Sequence, residues 1–202
     1  MFRLPNAITI TRILLVPVFA VAFVLPGDTA RIVAFAVFCI AGLSDALDGL
    51  AARKLNAGSE FGRMLDPIAD KILVAVALMM LVAEGNIEQF NLEPSLKGLL
   101  RLVPALVILS REILVSGLRE FLGGARVSIP VIAMAKFKTT IQMVAIGAMI
   151  LEPLATRRLA DALVLPYQTV AYGLLWAAAA LTVATGYVYF RAGLKHLHGG
   201  GA

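Results

Sequence analysis

The chain has 202 residues, of which 60% are hydrophobic and only 15% are charged, with a formal net charge of +5. Soluble domains carry about 25% charged residues, so this composition excludes an ordinary water-soluble protein and favours a membrane protein with several helical spans. The positive charge suits a protein that faces anionic lipid and anionic substrates, and nothing in the sequence indicates a nucleic-acid partner. A single cysteine excludes an intrachain disulfide framework.

Six apolar runs long enough to cross a bilayer follow one another along the chain. They predict an all-α integral membrane protein of six transmembrane helices that forms one domain over residues 1–202, since backbone exposed to lipid must satisfy its hydrogen bonds within each segment. The predicted spans lie near residues 7–25, 32–52, 65–83, 99–122, 132–151 and 170–190. Turn formers and charges separate them, most extensively in EPLATRRLADALVLPYQ, residues 152–168.

Lysine and arginine are distributed unequally between the two predicted sides of the membrane. With the N-terminus inside, the inner segments hold ten of them: Arg3, Arg53, Lys54, Arg63, Arg119, Arg126, Lys136, Lys138, Arg191 and Lys195. The outer segments hold five: Arg31, Lys97, Arg101, Arg157 and Arg158. Because cytoplasmic segments carry the excess of Lys and Arg, both termini are predicted to be cytoplasmic.

Four aspartates interrupt the second and third apolar runs. Asp45 and Asp48 are three residues apart and Asp66 and Asp70 are four apart, so each pair shares one helix face. A short polar turn between the runs predicts that the four carboxylates meet at the inner membrane boundary. Carboxylates inside a span are costly and usually functional, and with substrate phosphates they are the ligands that Mg²⁺ prefers. The sequence therefore predicts a metal site, with helix-capping or ion-paired acids as the alternative.

The aspartates stand in the pattern Asp45-x-x-Asp48-Gly49-x-x-Ala52-Arg53, eight further residues, then Gly62-x-x-x-Asp66-x-x-x-Asp70. This pattern resembles the signature of the CDP-alcohol phosphotransferases, a family whose six-helix membrane fold covers the whole chain. The resemblance implies two divalent metal ions, Mg²⁺ or Mn²⁺. It implies that Asp45 and Asp66 bridge both ions, that Asp48 and Asp70 each complete one shell, and that Asp70 is the general base. An alcohol would attack the β-phosphorus of CDP-diacylglycerol, and CMP would leave.

The resemblance also implies which residues bind the CDP-lipid. They are Asn6, Thr9, Gly49, Ala52, Arg53, Ser59 and Gly62. Small residues let a ligand approach the backbone closely, and the guanidinium of Arg53 suits phosphate oxygens. Asn6 follows Pro5 and is also predicted to cap the first helix, while Ser59 fits a helix cap as well. Arg12 and Lys71 are alternative partners of the acids and are not assigned to the site.

A second group of charged residues lies in SREILVSGLREF and AKFKTT, residues 110–121 and 135–140. It comprises Arg111, Glu112, Arg119, Lys136, Lys138 and Thr139. Cations beside a metal site predict a pocket for the phosphate of an anionic acceptor, with cations that snorkel to the membrane surface as the alternative. The two stretches resemble the phosphatidylglycerophosphate synthase branch of the family, which implies sn-glycerol 3-phosphate as the acceptor.

Other functions stay open at this point. A sister enzyme would use inositol phosphate, serine or phosphatidylglycerol. A cation transporter would place its acids near the bilayer midplane, on broken helices or in inverted repeats, and the chain shows no repeat. The resemblance implies a homodimer in the bacterial cytoplasmic (inner) membrane with its active site facing the cytoplasm. Trp176, Tyr172, Tyr187 and Tyr189 are interpreted as span packing or interfacial anchors.

Overall fold

The computed structural model describes residues 4–55, 60–87, 96–124 and 133–199. Within these ranges the chain forms α-helices joined by short turns, and no strand is present in them. The helices are α1 Leu4–Val24, α2 Asp28–Leu55, α3 Glu60–Ile87, α4 Leu96–Gly124, α5 Ala133–Arg158 and α6 Asp161–Gly199. The all-α prediction is confirmed, with one helix for each predicted apolar run. The single domain over residues 1–202 stays a prediction.

The predicted break over residues 152–168 is wrong, because this segment is almost entirely helical. α5 continues to Arg158 and α6 begins at Asp161, so two residues separate them. Basic residues in the last turn of α5 and an aspartate in the first turn of α6 suit the dipoles of those helix ends. The prolines that indicated a break, Pro153 and Pro166, lie inside the helices.

The start of α1 also differs from its prediction. The helix begins at Leu4, so Asn6 lies in the first turn and not at the capping position before it. Pro5 is tolerated there because the first N–H groups of a helix have no intrahelical partner.

The chain divides into two compact units. The first comprises residues 1–84 and 146–168, and the second comprises residues 85–145 and 169–202. The first unit therefore holds α1, α2, nearly all of α3, the end of α5 and the start of α6. The second holds α4, the beginning of α5 and most of α6.

In the first unit, α2 contacts both α1 and α3. The ring of Phe19 on α1 lies 5.7 Å from that of Phe23 and 6.0 Å from that of Phe38 on α2, measured between centroids. Arg31 of α2 forms an ion pair with Glu84 of α3, and its guanidinium lies 4.2 Å from the centroid of the Phe23 ring. Aromatic packing and one charged contact thus hold three helices together.

α2 also contacts the part of α5 that belongs to this unit. A Cβ atom at Gly147 would lie 3.1 Å from Cε2 of Phe35, so the glycine allows a close approach of the two helices. At the start of α2, Asp28 accepts hydrogen bonds from Arg157 Nε at 3.0 Å and from Arg158 Nε at 2.6 Å. The hydrogen bond from Arg158 and the charges of both arginines hold the pKa of Asp28 below its ordinary value.

In the second unit, α4 and α6 run in the same direction, because their contacts occur in the same order along both helices. Arg101 Nε donates to Tyr172 Oη at 3.1 Å, and further along Arg111 Nη2 donates to Thr185 Oγ1 at 3.1 Å. Arg101 was predicted in an outer segment, but it lies within α4 and is only 4% exposed.

Large apolar side chains cover much of the outer surface of the helices. On α1, Leu14, Val18 and Val21 form a stripe with spacings of four and three residues, and each is between 49% and 62% exposed. Soluble proteins rarely expose large apolar patches, so this surface suits a lipid environment. Among the described residues, the segments Phe137–Arg158 and Asp161–Arg191 are long and apolar enough to cross a membrane. The arrangement of six spans stays a prediction.

Candidate functional site

The backbone places the four aspartates on two consecutive helices of the first unit. Asp45 and Asp48 lie on α2, Asp66 and Asp70 lie on α3, and only residues 56–59 separate the two helices. Ser59 lies outside the described residues. The backbone is described, but not the side-chain surroundings, for Asn6, Asp45, Asp48, Gly49, Ala52, Arg53, Gly62, Asp66, Asp70 and Lys136. The predicted roles of these residues stay predictions.

An ion pair at the other end of α2 and α3 fixes the register of the two helices. Arg31 Nη2, near the start of α2, contacts Glu84 Oε1, near the end of α3. Asp45 follows Arg31 by 14 residues and Asp70 precedes Glu84 by 14 residues, which is about 21 Å along each helix. The helices run in opposite directions, so positions 45 and 70 come to the same level. Fourteen residues are about 3.9 turns, so each position also lies close to the helix face of its ion-pair residue.

The donor set at this level fits a divalent metal site. Two aspartate positions on each of two adjacent helices supply carboxylate oxygens, the ligands that hard cations such as Mg²⁺ and Mn²⁺ prefer. Among the side chains that the structure describes, no three His, Cys, Asp or Glu residues are grouped to hold a metal ion. The predicted ions therefore depend on the four aspartates.

A buried arginine of α1 contacts the residue that precedes the first aspartate. Arg12 is 1% exposed, and its Nε donates to Ser44 Oγ at 3.2 Å. Ser44 stands directly before Asp45 in the sequence. Thr9, which the family resemblance assigns to the CDP-lipid site, is also 1% exposed and lies one turn before Arg12. Because a buried guanidinium is costly without charged partners, this position suits Arg12 to balance the charge of the aspartates.

In the second unit, three of the residues predicted to bind the acceptor phosphate form one cluster. Glu112 Oε1 accepts hydrogen bonds from Lys138 Nζ and from Arg111 Nη1, the latter at 3.3 Å. The side chain of Lys138 is 5% exposed, that of Arg111 13% and that of Glu112 19%. Snorkelling cations would reach out to water, so this burial argues against that alternative for Arg111 and Lys138.

The contacts of Glu112 indicate that it positions the two cations and does not itself bind phosphate. Its carboxylate lies between the two cations and holds Arg111 and Lys138 close together. A carboxylate would repel a phosphate, but two cations against one carboxylate leave a net positive charge in the cluster. Such a buried, hydrogen-bonded pair of cations suits an anionic ligand.

Tyr189 of α6 contacts two of the predicted cations. The guanidinium of Arg111 lies 5.7 Å and that of Arg119 5.1 Å from the centroid of its ring, and Arg119 Nη2 donates to Tyr189 Oη at 3.4 Å. Tyr189 is 1% exposed, so its interpretation as a packing or anchor residue overlooks these contacts. Thr185 and Tyr189 are four residues apart and share one face of α6, but this spacing does not indicate which helix that face contacts.

The other two residues of the predicted acceptor set differ from the buried cluster. Thr139 is exposed although its neighbour Lys138 is buried, as expected for consecutive residues that point about 100° apart on a helix. Lys136 lies on α5, and its side chain is outside the described part of the chain. Their predicted roles stay predictions.

Comparison with known proteins yields one family. The family model for CDP-alcohol phosphatidyltransferase matches residues 2–184. The CDP-diacylglycerol--glycerol-3-phosphate 3-phosphatidyltransferase of Rickettsia felis is 40% identical over 194 residues, covering 96% of this chain and 97% of that protein. The protein of the same name from Rickettsia bellii is 39% identical over 194 residues, with the same coverage of 96% and 97%. That from Haemophilus influenzae is 38% identical over 151 residues, covering 74% and 76%.

The matched residues include the aspartate motif on α2 and α3 as well as the cationic cluster on α4 and α5. The similarity to the relatives from Rickettsia extends over nearly the full length of both proteins. The resemblance first indicated by the spacing of the aspartates is confirmed by these matches. The chain belongs to the CDP-alcohol phosphatidyltransferase family.

Proposed function

We propose that this chain transfers the phosphatidyl group of CDP-diacylglycerol to sn-glycerol 3-phosphate, giving phosphatidylglycerophosphate and CMP. The observation that carries the proposal is the largely buried cluster of Arg111, Glu112 and Lys138, in a chain whose relatives over nearly full length are named for this reaction. Two cations that are mostly shielded from water suit the phosphate of such an acceptor. An acceptor without a phosphate, such as serine, would not need them.

The reaction requires one bond to form and one to break at phosphorus. The primary hydroxyl oxygen of the acceptor bonds to the β-phosphorus of the CDP-lipid. The bond from that phosphorus to the oxygen of CMP breaks, and CMP leaves with the electron pair. Asp70 takes the hydroxyl proton as general base. No covalent enzyme intermediate forms, so the chain needs no serine or cysteine nucleophile.

The four aspartates would hold two divalent ions, Mg²⁺ or Mn²⁺. Asp45 and Asp66 would be shared between both, while Asp48 and Asp70 would each complete one shell. Bound there, the ions would neutralise the pyrophosphate and align the attacking and leaving oxygens. The α2–α3 register supports this arrangement, because it brings positions 45 and 70 to the same level.

The CDP-lipid would bind along the first three helices. Thr9 supports this assignment, because it is buried one turn from Arg12, which contacts the residue before Asp45. Arg53 would bind phosphate oxygens. The remaining contacts would come from Asn6, Gly49, Ala52, Ser59 and Gly62.

The enzyme would span the bacterial inner membrane six times as a homodimer, with both termini and the active site at the cytoplasmic face. The exposed apolar stripes support a lipid setting, and the excess of Lys and Arg on the inner side supports the orientation. This orientation is tested by placing single cysteines at the two termini and labelling them in intact cells with a membrane-impermeant reagent. Labelling without permeabilisation would contradict the cytoplasmic placement.

An acceptor panel tests the reaction itself. Purified protein receives CDP-diacylglycerol and one acceptor at a time, and CMP release is measured with Mg²⁺, with Mn²⁺ and with EDTA. We expect release with glycerol 3-phosphate only, abolished by EDTA and restored by either metal. Release with inositol phosphate, serine or phosphatidylglycerol but not with glycerol 3-phosphate would assign the chain to a sister enzyme, and full turnover in EDTA would contradict the metal site. Cation flux into vesicles without CDP-lipid would favour a transporter.

A further inference from the structure

Three polar atoms buried in the second unit have no hydrogen-bond partner among the described residues. They are Arg111 Nε, Gln142 Oε1 and Thr182 Oγ1. Gln142 is 3% exposed and Thr182 is 0% exposed, so bulk water does not reach them. More than about 90% of buried polar groups are paired in folded proteins, and an unpaired one costs about 1–3 kcal/mol. Three such atoms in one unit indicate a site for a ligand or for an ordered water.

Gln142 and Thr182 lie one turn from the cationic cluster, on the same side of it. On α5, Gln142 follows Lys138 by four residues and therefore shares its face. On α6, Thr182 precedes Thr185 by three residues, and Thr185 Oγ1 donates to the carbonyl oxygen of Thr182 at 3.1 Å. α5 and α6 are joined by only two residues and run in opposite directions, so both steps lead the same way along the bundle, by about 4.5–6 Å.

Apolar side chains lie beside these two residues and in the layer beyond them. Ile108 of α4 lies one turn before Glu112, at the level of Gln142 and Thr182, and is 0% exposed. Beyond it lie small buried alanines on all three helices: Ala105, Ala145 and Ala178, which are 3%, 0% and 0% exposed. Gln142 and Thr182 therefore lie between the cationic cluster and this apolar layer.

The three unpaired atoms match the hydrogen-bonding capacity of one hydroxyl group. A hydroxyl donates one hydrogen bond and accepts two. It can donate to Gln142 Oε1, which only accepts, and it can accept from Arg111 Nε–H and from the Thr182 hydroxyl. In sn-glycerol 3-phosphate the secondary hydroxyl is separated from the phosphorus by the ester oxygen and two carbon atoms, a span that suits a site one helical turn from the phosphate-binding cations.

We propose that Gln142, Thr182 and Arg111 Nε form a hydroxyl subsite, which receives the secondary hydroxyl of the acceptor while Arg111 and Lys138 bind its phosphate. This inference rests on the proposed function and adds the residues that select a polyol phosphate. An ordered water could supply the same hydrogen bonds, and the experiment separates the two sources. An acceptor that lacks the secondary hydroxyl leaves the three atoms unpaired, and sites of this kind reject such analogues strongly.

The test compares glycerol 3-phosphate with 3-hydroxypropyl phosphate, which keeps the primary hydroxyl and the phosphate. Initial rates of CMP release at saturating CDP-diacylglycerol and Mg²⁺ give kcat/KM for both acceptors. We expect the wild type to prefer glycerol 3-phosphate by about tenfold or more. In Gln142→Met and Thr182→Val, which keep the side-chain volume, this preference should fall towards one, through loss of activity with glycerol 3-phosphate alone. Thr182→Ser keeps the hydroxyl and should keep the preference.

Gln168→Met is the matched control, because Gln168 Nε2 donates to Glu152 in the first unit, and it should retain the wild-type preference. The ratio is internal to each protein, so a variant of reduced stability still reports it, and Thr182→Val tests the subsite if Gln142→Met fails to fold. Equal losses with both acceptors in the variants, or no preference in the wild type, would overturn the subsite and leave the three atoms to an ordered water. No turnover of either acceptor by the wild type would instead overturn the proposed function, and the subsite with it.

Discussion

Gly186→Ala should impair use of glycerol 3-phosphate by displacing Arg111. A Cβ atom at Gly186 would lie 2.9 Å from Arg111 Cγ and 3.4 Å from its Nε. Carbon atoms pack at about 3.5–4.0 Å, so Arg111 has to move by about 0.6 Å or more. Its bond to Thr185, at 3.1 Å, lies just inside the usual upper distance of about 3.2 Å for N–H···O bonds, and its bond to Glu112, at 3.3 Å, lies just beyond it. A shift of this size therefore breaks at least one of them.

The size of the effect follows from the bond that is lost. A hydrogen bond that involves a charged group contributes about 1.5–3 kcal/mol, which corresponds to a roughly 10- to 150-fold loss of kcat/KM for glycerol 3-phosphate. The KM for CDP-diacylglycerol should change little, because Gly186 and Arg111 belong to the second unit and the aspartate motif to the first. Steady-state CMP release with each substrate varied in turn measures both.

Gly173→Ala provides a matched control on the same helix. Nothing lies within 4 Å of a Cβ atom at Gly173, so this alanine should leave the kinetics unchanged and stabilise the helix by about 0.5–1 kcal/mol. A wild-type kcat/KM for glycerol 3-phosphate in folded Gly186→Ala would refute the assignment of Arg111 to the acceptor. An equal rise of KM for both substrates would show that Gly186 serves only the packing of the helices.

Three further predictions concern the metal site, the acceptor cluster and the start of α2. Asp70→Asn should bind CDP-lipid but release CMP about 10²–10⁴-fold more slowly at saturating Mg²⁺, whereas added metal should partly rescue Asp66→Asn. Single-turnover CMP release measures both effects, with Asp161→Asn, at an exposed position, as the control. A near-wild-type rate in Asp70→Asn would show that another group takes the proton. Lys138→Ala removes one of the two buried cations and should raise the KM for glycerol 3-phosphate at least about tenfold, with little change for CDP-diacylglycerol; unchanged kinetics would exclude Lys138 from the site. Asp28→Asn should lower the melting temperature at neutral pH, because its arginine partners lower the pKa of the folded carboxylate, and its contribution is present above the unfolded pKa and lost as the pH falls through the folded one. The melting temperatures of the wild type and of Asp28→Asn should therefore converge well below about pH 4. Equal melting temperatures at pH 7 would show that the contact of Asp28 with the two arginines does not stabilise the protein.

The number and order of the helices could be predicted because each apolar run is long and separated from the next by polar residues. The link between α5 and α6 could not, because prolines and charges usually mark a break. Here Arg158 and Asp161 stand at helix ends whose dipoles suit them, and Pro153 and Pro166 are accommodated inside the helices. Local composition gives no measure of how short a turn between two antiparallel helices becomes.

In the candidate site, grouping within a helix could be predicted better than contacts between helices. Arg111 and Glu112 are adjacent in sequence, so their association followed from short-range spacing. Lys138 reaches Glu112 from the following helix, 26 residues further on, and its direct contact with that carboxylate was not predicted. Thr185 and Tyr189 were overlooked as partners of the cations because their contacts depend on the parallel packing of α4 and α6. Arg111 meets Thr185 across 74 residues and Arg119 meets Tyr189 across 70, distances over which no periodicity in the sequence carries information.

The parallel packing of α4 and α6 also determines when the acceptor cluster gains all of its contacts during synthesis. The chain leaves the ribosome N-terminus first, and the contact between Arg31 and Glu84, across 53 residues, needs no residue beyond α3. The support that Thr185 and Tyr189 give to the cations has to await α6, near the C-terminal end. The two aspartate-bearing helices can therefore pair before α6 has been synthesised, whereas Arg111 and Arg119 gain their contacts with Thr185 and Tyr189 only afterwards.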